Sequence, residues 1–385
     1  MLRHAEFSSA SAFKPTLTTN IIKKTKNKYQ MKKYILVAIC LLLTKFTFAQ
    51  DTTALKISGY LETYYSYDFN KPSNNTRPNF IYSHNRNKEV NVNLAFIKAN
   101  YQTERVRGNL ALALGTYMSA NYAAEPDVMK NAFEANAGIK LSKTANLWLD
   151  AGLFGSHIGF ESAISKDCWV LTRNISSENT PYYETGAKLT YTTDNQKLSA
   201  TLLYLNGWQR IKRLDGNSKP AGGLQLTYKP TDKITLNYSN YLGYEGEDAL
   251  RTQRFYHNFY GIVQLSDSFG FTAGFDYGTQ QIAKGSNENK EVIAPVMIAR
   301  YAFAPNWALA GRYEFYKDKQ AMIVATENLN GFKLNGYSLN IDYSPFKKAV
   351  LRLEGKVYQG DGQFVRKESN VDYNTSITTS LAISF

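Results

Sequence analysis

Residues 371–385 read VDYNTSITTSLAISF, and this last stretch of the chain decides the fold. Every second residue from Val371 to Phe385 is apolar, aromatic or β-branched, whereas the residues between them are small or polar. A period of two predicts a β-strand, and this one is longer than the usual five or six residues of a globular strand. About nine to eleven tilted residues cross a bilayer as a strand. The stretch therefore predicts the closing strand of a membrane barrel.

Short turn signals divide the rest of the chain into similar segments. They recur about every forty residues and lie at 103–105, 142–144, 193–195, 230–232, 266–268, 304–306 and 344–346. Each interval holds two alternating segments and one more variable connection. The sequence thus predicts an all-β fold: a transmembrane antiparallel up-and-down β-barrel of about 16 strands, starting near Leu55, with short periplasmic turns and long extracellular loops.

Aromatic residues mark both ends of these segments. Those near the short turns are Tyr191, Tyr228, Phe303, Trp307 and Tyr343, and those near the longer connections are Tyr65, Tyr67, Tyr204, Trp208, Tyr244, Phe315 and Tyr358. Two aromatic girdles favour a barrel in a bilayer over a soluble sandwich. Segments 91–101 and 292–301 look apolar on both faces, which β-bulges would explain.

The first fifty residues differ in composition from the rest. Residues 31–50 read MKKYILVAICLLLTKFTFAQ, which has the charged, apolar and small-residue order of a secretory signal peptide, with cleavage after Ala49. We therefore expect a non-native N-terminal extension at 1–30, a signal peptide at 31–49 and an outer-membrane β-barrel at 50–385. Much of the net charge of +13 lies in the leader, so the basicity gives no support for nucleic-acid binding.

These features predict export through a cleaved signal peptide to the bacterial outer membrane, as a multi-pass β-barrel in contact with outer-membrane lipid. A C-terminal strand that ends on an aromatic residue, Phe385, resembles the insertion signal read by the barrel insertion machinery. The sequence leaves open whether the barrel forms a homotrimer. Cys168 is the one cysteine after the leader, so no intramolecular disulfide is expected.

Charged residues on the polar faces predict the wall of a water-filled lumen. Opposite signs alternate along the strands, which favours weak ion selectivity over a strongly charged filter. The pore-lining candidates are Glu134, Lys140, Arg173, Glu184, Lys188, Asp276, Arg312, Glu314, Arg352, Glu354 and Lys356. Connections 70–88 and 158–180 are longer than the rest. Our hypothesis is that 158–180 folds into the lumen as a constriction containing Arg173; the alternative is a loop facing outward.

The sequence does not favour an enzyme. After the leader, the histidines are His84, His157 and His257. Ser156 and His157 are adjacent at a strand end, where neighbouring side chains point to opposite faces, so they do not form a nucleophile and base pair. We find no phosphate-binding glycine loop and no Cys/His cluster, and we expect no cofactor and no metal.

Several stretches resemble the OmpL-like β-barrel porin family. They are GYLETYY (59–65), VRGNLALALGTY (106–117), GLFGSHIGFE (152–161), TRN (172–174) with PYYETG (181–186), and LNGW (205–208). The resemblance implies a barrel and a diffusion pore, and its motifs contain no catalytic residue. Family members often have an aromatic residue and a His before the Thr-Gly pair; Glu184 stands there in this chain and adds a lumen charge.

The expected function is that of an outer-membrane porin, a passive diffusion channel for small hydrophilic solutes or ions. The alternative is an outer-membrane barrel whose pore is closed by its long loops and which acts as a structural or surface-binding protein. Bilayer conductance distinguishes the two.

Overall fold

The computed structural model describes residues 54–326 and 328–385, so the expected extension and signal peptide lie outside the described residues. The described chain is a closed antiparallel barrel in which each strand pairs with its sequence neighbours and the last pairs with the first. The strands are β1 (Leu55–Asp68), β2 (Val90–Gln102), β3 (Val106–Leu114), β4 (Ala132–Lys140), β5 (Asn146–Gly155), β6 (Tyr183–Thr192), β7 (Leu198–Leu205), β8 (Ala221–Thr231), β9 (Ile234–Glu245), β10 (Thr252–Gln264), β11 (Phe269–Gln281), β12 (Asn289–Ala304), β13 (Trp307–Asp318), β14 (Phe332–Phe346), β15 (Ala349–Arg366) and β16 (Ser369–Ser384). The predicted barrel of about 16 strands is confirmed.

Helical structure is confined to the connections. The helices are α1 (Thr116–Asn121) and α2 (Ile175–Asn179), with 3₁₀ turns at Asp127–Asn131 and Ser165–Asp167. Within residues 54–326 and 328–385, no helix has the length and apolarity needed to cross a membrane.

The barrel closes where β16 pairs with β1, a contact that we call the seam. The register runs from Tyr60 opposite Ser384 to Asp68 opposite Ser376. Gly59 and Phe385 then exchange backbone hydrogen bonds of 2.8 and 3.0 Å, and the Phe385 ring lies where a side chain at Gly59 would be. Because glycine has no Cβ, the terminal ring can cover the strand it joins.

Strand β16 has the two faces that its sequence predicts. The small polar residues face the interior and are buried: Asn374, Ser376, Thr378 and Ser380. The intervening apolar residues are exposed on the outer surface: Tyr373, Ile377, Leu381 and Ile383. This is the polarity of a barrel with lipid outside and polar groups within.

The two ends of the barrel differ as predicted. All seven turn signals lie in or directly beside short connections at one end, although 344–346 forms the last residues of β14. The longest connections at the other end are 69–89 and 156–182. The β15–β16 connection at that end is instead a two-residue turn, Lys367-Glu368, with φ values of 49° and 67°. Strand length also varies, from 8 residues in β7 to 18 in β15.

Two residues assigned to the aromatic girdles lie inside the barrel instead. Tyr191, Tyr228, Phe303 and Trp307 are exposed on the outer surface near the short turns, as expected. Tyr358, however, is buried, 5.3 Å from the ring of Phe80. Trp208 likewise packs on Tyr241 and Tyr256, at ring distances of 4.9 and 5.0 Å. Long loops fill this end of the barrel and give inward aromatic residues apolar partners.

The strands with two apolar faces have two different explanations. The pairing of β2 with β1 shifts register between Glu62 and Thr63, so the predicted bulge is present there. Strand β12 pairs with β11 without interruption. Its inward residues Val296 and Ile298 pack against Val170 of a loop inside the barrel. The pairing of β12 with β13 shifts register only between Tyr301 and Ala304, at the end of that segment, so within the segment the internal loop that covers the wall accounts for the apolar inner face.

Candidate functional site: the inner loop and the barrel wall

The connection between β5 and β6, residues 156–182, lies inside the barrel, and we call it the inner loop. At its start, His157 Nδ1 lies 2.8 Å from a Glu184 oxygen and Nε2 lies 2.6 Å from the Asn240 carbonyl. Both partners only accept hydrogen bonds, so both ring nitrogens donate and the imidazole is positively charged. Burial opposes this charge, but the Glu184 carboxylate prevails and raises the pKa of His157 above its usual value.

Hydrogen bonds continue from His157 through the wall to the outer face. The Asn240 side chain accepts from Leu224 N–H at 3.0 Å and donates to Tyr238 Oη at 3.1 Å. Tyr238 Oη lies 2.9 Å from His257 Nδ1. Tyr238 and His257 alternate with buried neighbours and so lie on the outer surface. The contact of His157 with Asn240 is thus part of a hydrogen-bond network that joins strands β8, β9 and β10.

The middle of the inner loop is bound by charged residues of β13 and β15. Thr172 donates from N–H and Oγ1 to Glu354, at 2.6 and 3.0 Å. Arg312 donates to the Thr172 carbonyl at 2.8 Å and to Glu354 at 3.1 Å. Glu314 accepts from Ile175 N–H at 2.5 Å, and Lys356 donates to the Arg173 carbonyl at 2.9 Å. These wall residues face inward as predicted, but the loop covers them.

Two further candidates bind other parts of the inner loop. Arg352 forms two bonds with Asp342, at 2.7 and 3.0 Å, and donates to the carbonyls of Ser165 and Cys168. Asp276 accepts a hydrogen bond from Ser176. The loop therefore contacts the wall from β9 to β15, and its placement inside the barrel favours the lumen hypothesis over a loop facing outward.

Arg173 stabilises the loop itself. Its guanidinium is fully buried and donates to the carbonyls of Leu171 and Ser162. Nearby, Glu161 accepts from the backbone and side chain of Asn174, at 2.6 and 2.7 Å. Arg173 thus lies within the loop and does not project from it.

The first long loop, residues 69–89, also enters the barrel. His84 donates to Glu62 of β1 at 3.1 Å, and Ser165 of the inner loop donates to the same carboxylate at 2.5 Å. Glu178 accepts from the backbone N–H groups of Tyr82 and Ser83. Burial raises the pKa of Glu178, and these two N–H bonds oppose that shift. Sequence reasoning missed Glu62 and Glu178, because no local pattern relates them to Ser165 and to Tyr82 and Ser83, about 100 residues away in the chain.

The interior faces of β2 to β6 are not covered in the same way, and we call them the open sector. Lys98 lies 2.8 Å from Glu134, with side-chain exposures of 26% and 21%. Arg107 forms two hydrogen bonds with Asp150, at 2.6 and 2.5 Å, and keeps 27% of its side chain exposed. The predicted residues Lys140 and Lys188 are half-buried in the same sector. Sequence reasoning missed Lys98, Arg107 and Asp150, although alternation within β3 and β5 could have found the last two.

A row of asparagines crosses the open sector. Asn100 donates to Asn109 at 2.8 Å, Asn109 donates to Asn136 at 3.0 Å, and Asn136 donates to the Leu153 carbonyl at 2.8 Å. The row links β2, β3, β4 and β5 on the face that the inner loop leaves uncovered. A polar wall with paired charges and amides is suited to contact with water and small polar solutes.

Metal chemistry has no geometric support in the part of the chain that the structure describes. No group of three His, Cys, Asp or Glu side chains there lies close enough to hold a metal ion. Burial also raises the pKa of the Cys168 thiol in the inner loop, which disfavours the thiolate.

Comparison with known proteins identifies the family. The family model described as "Putative beta-barrel porin-2, OmpL-like" matches residues 54–385. The chain belongs to this porin family. The protein is therefore a β-barrel porin of the outer membrane. No curated protein matches its sequence.

Solved structures show the same fold at low sequence identity. The outer membrane channel DcaP of Acinetobacter baumannii matches with a TM-score of 0.58 and 12% identity, over 88% of this chain and 99% of that one. An anion-selective porin from Comamonas acidovorans matches with a TM-score of 0.56 and 9% identity, over 86% of this chain and 99% of that one. OmpT of Vibrio cholerae matches with a TM-score of 0.54 and 10% identity, over 86% of this chain and 97% of that one. These similarities support the fold of the OmpL-like porin.

Proposed function

We propose that this OmpL-like porin is a passive diffusion channel for small hydrophilic solutes or ions. One observation carries the proposal: the inner loop covers the wall from β9 to β15, whereas charged side chains of the open sector stay partly exposed inside the barrel. A narrow aqueous passage between the loop and the open sector accounts for this difference. No cofactor and no catalytic step is part of this proposal.

The predicted pore residues then have two different roles. Glu134, Lys140 and Lys188 line the passage. The other wall candidates hold the inner loop: Glu184, Asp276, Arg312, Glu314, Arg352, Glu354 and Lys356. A loop fixed by buried ion pairs gives a constriction of constant width, because a charge released from such a pair would be left unpaired in the interior.

Single-channel recording in a planar bilayer tests both the channel and the constriction. The wild type should show small ohmic conductance steps. Deleting residues 162–173 should enlarge these steps. The flanking residues are already neighbours, because the Glu161 carboxylate accepts a hydrogen bond from Asn174 N–H at 2.6 Å. A matched deletion of 283–287, in the exposed β11–β12 connection, should leave the step size unchanged. Equal conductance in wild type and the inner-loop deletion would show that the loop is not the constriction.

The dense packing of both long loops favours a second function, a closed barrel with a structural or surface-binding role. His84 of the first long loop and Leu171 and Arg173 of the inner loop are fully buried. A correctly folded wild type that stays silent in the bilayer would support this function and contradict the channel.

The remaining expectations concern partners. We infer contact with outer-membrane lipid from the apolar outer face, and use of the barrel insertion machinery from Phe385. A homotrimer stays a prediction; a solved OmpT of Vibrio cholerae in trimer form shares the fold, with a TM-score of 0.55 and 10% identity. Native mass spectrometry of the detergent-solubilised porin measures the subunit number directly.

A further inference from the structure

We propose that the passage along the open sector prefers small anions to cations. This inference rests on the proposed channel function and assigns its solute class. The reason is local: positive side chains outnumber negative ones on the interior faces of β2 to β6, and each of the acids there is already paired.

Three acids lie on the interior faces of β2 to β6, and each is paired. Glu184 on β6 pairs with His157 of the inner loop at 2.8 Å. Glu134 on β4 pairs with Lys98 on β2 across the intervening strand β3, at 2.8 Å. Asp150 on β5 pairs with Arg107 on β3 across β4. The second pair requires Gly138 on β4, because a Cβ at this position would collide with an Asp150 carboxylate oxygen. The wall is therefore built so that each acid is matched by one basic residue.

Lys140 and Lys188 remain as the excess positive charges. In the described part of the chain, neither forms an ion pair within 4.0 Å. The Lys188 ammonium lies 4.5 Å from the Phe154 ring centre, and its backbone is opposite Asp150, which Arg107 already binds. No carboxylate therefore neutralises either ammonium group, and both side chains stay only half-buried.

These two lysines lie at different depths. Strand β4 runs toward the short turns, and Lys140 is two residues past Gly138, which pairs with Asp150. Asp150 in turn pairs with Lys188. At about 3.4 Å per residue, the two lysine levels are separated by about 7 Å along the strand direction. An anion moving through the passage would thus meet one unpaired ammonium after another.

The chemistry favours small anions as a class over one particular acid. An ammonium on a flexible chain is a compact charge that accepts many anion geometries, whereas a guanidinium fork fits carboxylates in fixed orientations. Here the guanidinium of Arg107 is occupied by Asp150. Charges on the wall of a narrow polar passage raise the local concentration of ions of opposite sign.

Reversal potentials across a bilayer with a potassium chloride gradient test the inference. The wild type should have a chloride to potassium permeability ratio above one. Lys140→Gln combined with Lys188→Gln should lower the ratio by about threefold or more. Glu134→Gln, which frees Lys98, should raise the ratio. Lys212→Gln is the matched control, since this lysine is 61% exposed in a loop beside Asp215 and should not alter it.

The outcomes separate this inference from the channel proposal. A silent wild type would overturn both. Conductance with a wild-type ratio of one or below, or a ratio that the double variant leaves unchanged, would overturn the anion preference alone and leave the channel intact. Each variant should first show the circular dichroism spectrum of the wild-type barrel, so that the comparison is made between folded proteins.

Discussion

His157→Leu should be among the most destabilising substitutions in the inner loop. The wild-type imidazolium lies between the Glu184 carboxylate and the Asn240 carbonyl, at 2.8 and 2.6 Å, and neither His157 nor Glu184 is appreciably exposed. Leucine fills a similar volume but leaves a buried carboxylate without its cation. Breaking one side of a buried pair costs about 3–5 kcal/mol.

A double substitution separates charge from packing. In His157→Leu with Glu184→Leu, no carboxylate is left unpaired, and the remaining cost is that of the Asn240 carbonyl without a donor, about 1–3 kcal/mol. The double variant should therefore be more stable than His157→Leu alone. His257→Leu on the outer face is the control, because it removes one bond to Tyr238 and should cost about 1 kcal/mol or less.

Equilibrium urea unfolding in lipid vesicles, followed by tryptophan fluorescence, measures these differences in the free energy of unfolding. The reasoning would be refuted if His157→Leu unfolds within about 0.5 kcal/mol of wild type, or if the double variant is less stable than the single one.

Three further predictions concern the pH dependence of the His157 contact, the open sector and the C-terminal residue. The stability difference between wild type and His157→Leu should depend on pH, because the pKa of the imidazole in the folded protein is raised from about 6.5. The stabilisation by His157 is fully present below pH 6.5 and is lost as the pH rises through the higher folded-state pKa. Urea unfolding at several pH values measures this dependence. Gly138→Val should break the contact of Arg107 with Asp150 and cost about 1–3 kcal/mol, whereas Gly355→Val, with no atom near its Cβ position, should cost less; equal costs in urea unfolding would contradict the steric reason. Phe385→Asp should lower the amount of barrel in the outer membrane more than total synthesis, and normal membrane levels in fractionated cells would argue against an insertion role.

Alternation along the strands was sufficient to predict most of the barrel. A strand between lipid and a polar interior must change polarity at every residue, as β16 does, and the turn at 304–306 interrupts that period visibly. The same rule predicted the inward orientation of Lys140 and Lys188. It did not predict Lys98, because Leu94 and Phe96 on the same face make the sequence of β2 look apolar on both faces. In the structure these two residues pack inside the barrel.

The inner loop's contacts could not be read from the sequence, because they join residues that no local pattern relates. Ser165 binds Glu62, 103 residues earlier, and Thr172 binds Glu354, 182 residues later. Tyr358 shows the consequence most directly: by position it belongs to an aromatic girdle, and only the presence of Phe80 inside the barrel explains its burial.

The seam also joins the two strands that are farthest apart in the chain. Strand β1 is the first strand and its partner β16 is the last, so one edge of β1 has no partner until the ring closes. Glu62 on that strand need not wait, because His84 and Asn93 are only 22 and 31 residues away. Contacts at short sequence separation form early. The first hairpin can thus supply hydrogen bonds to its own buried carboxylate before the ring is closed.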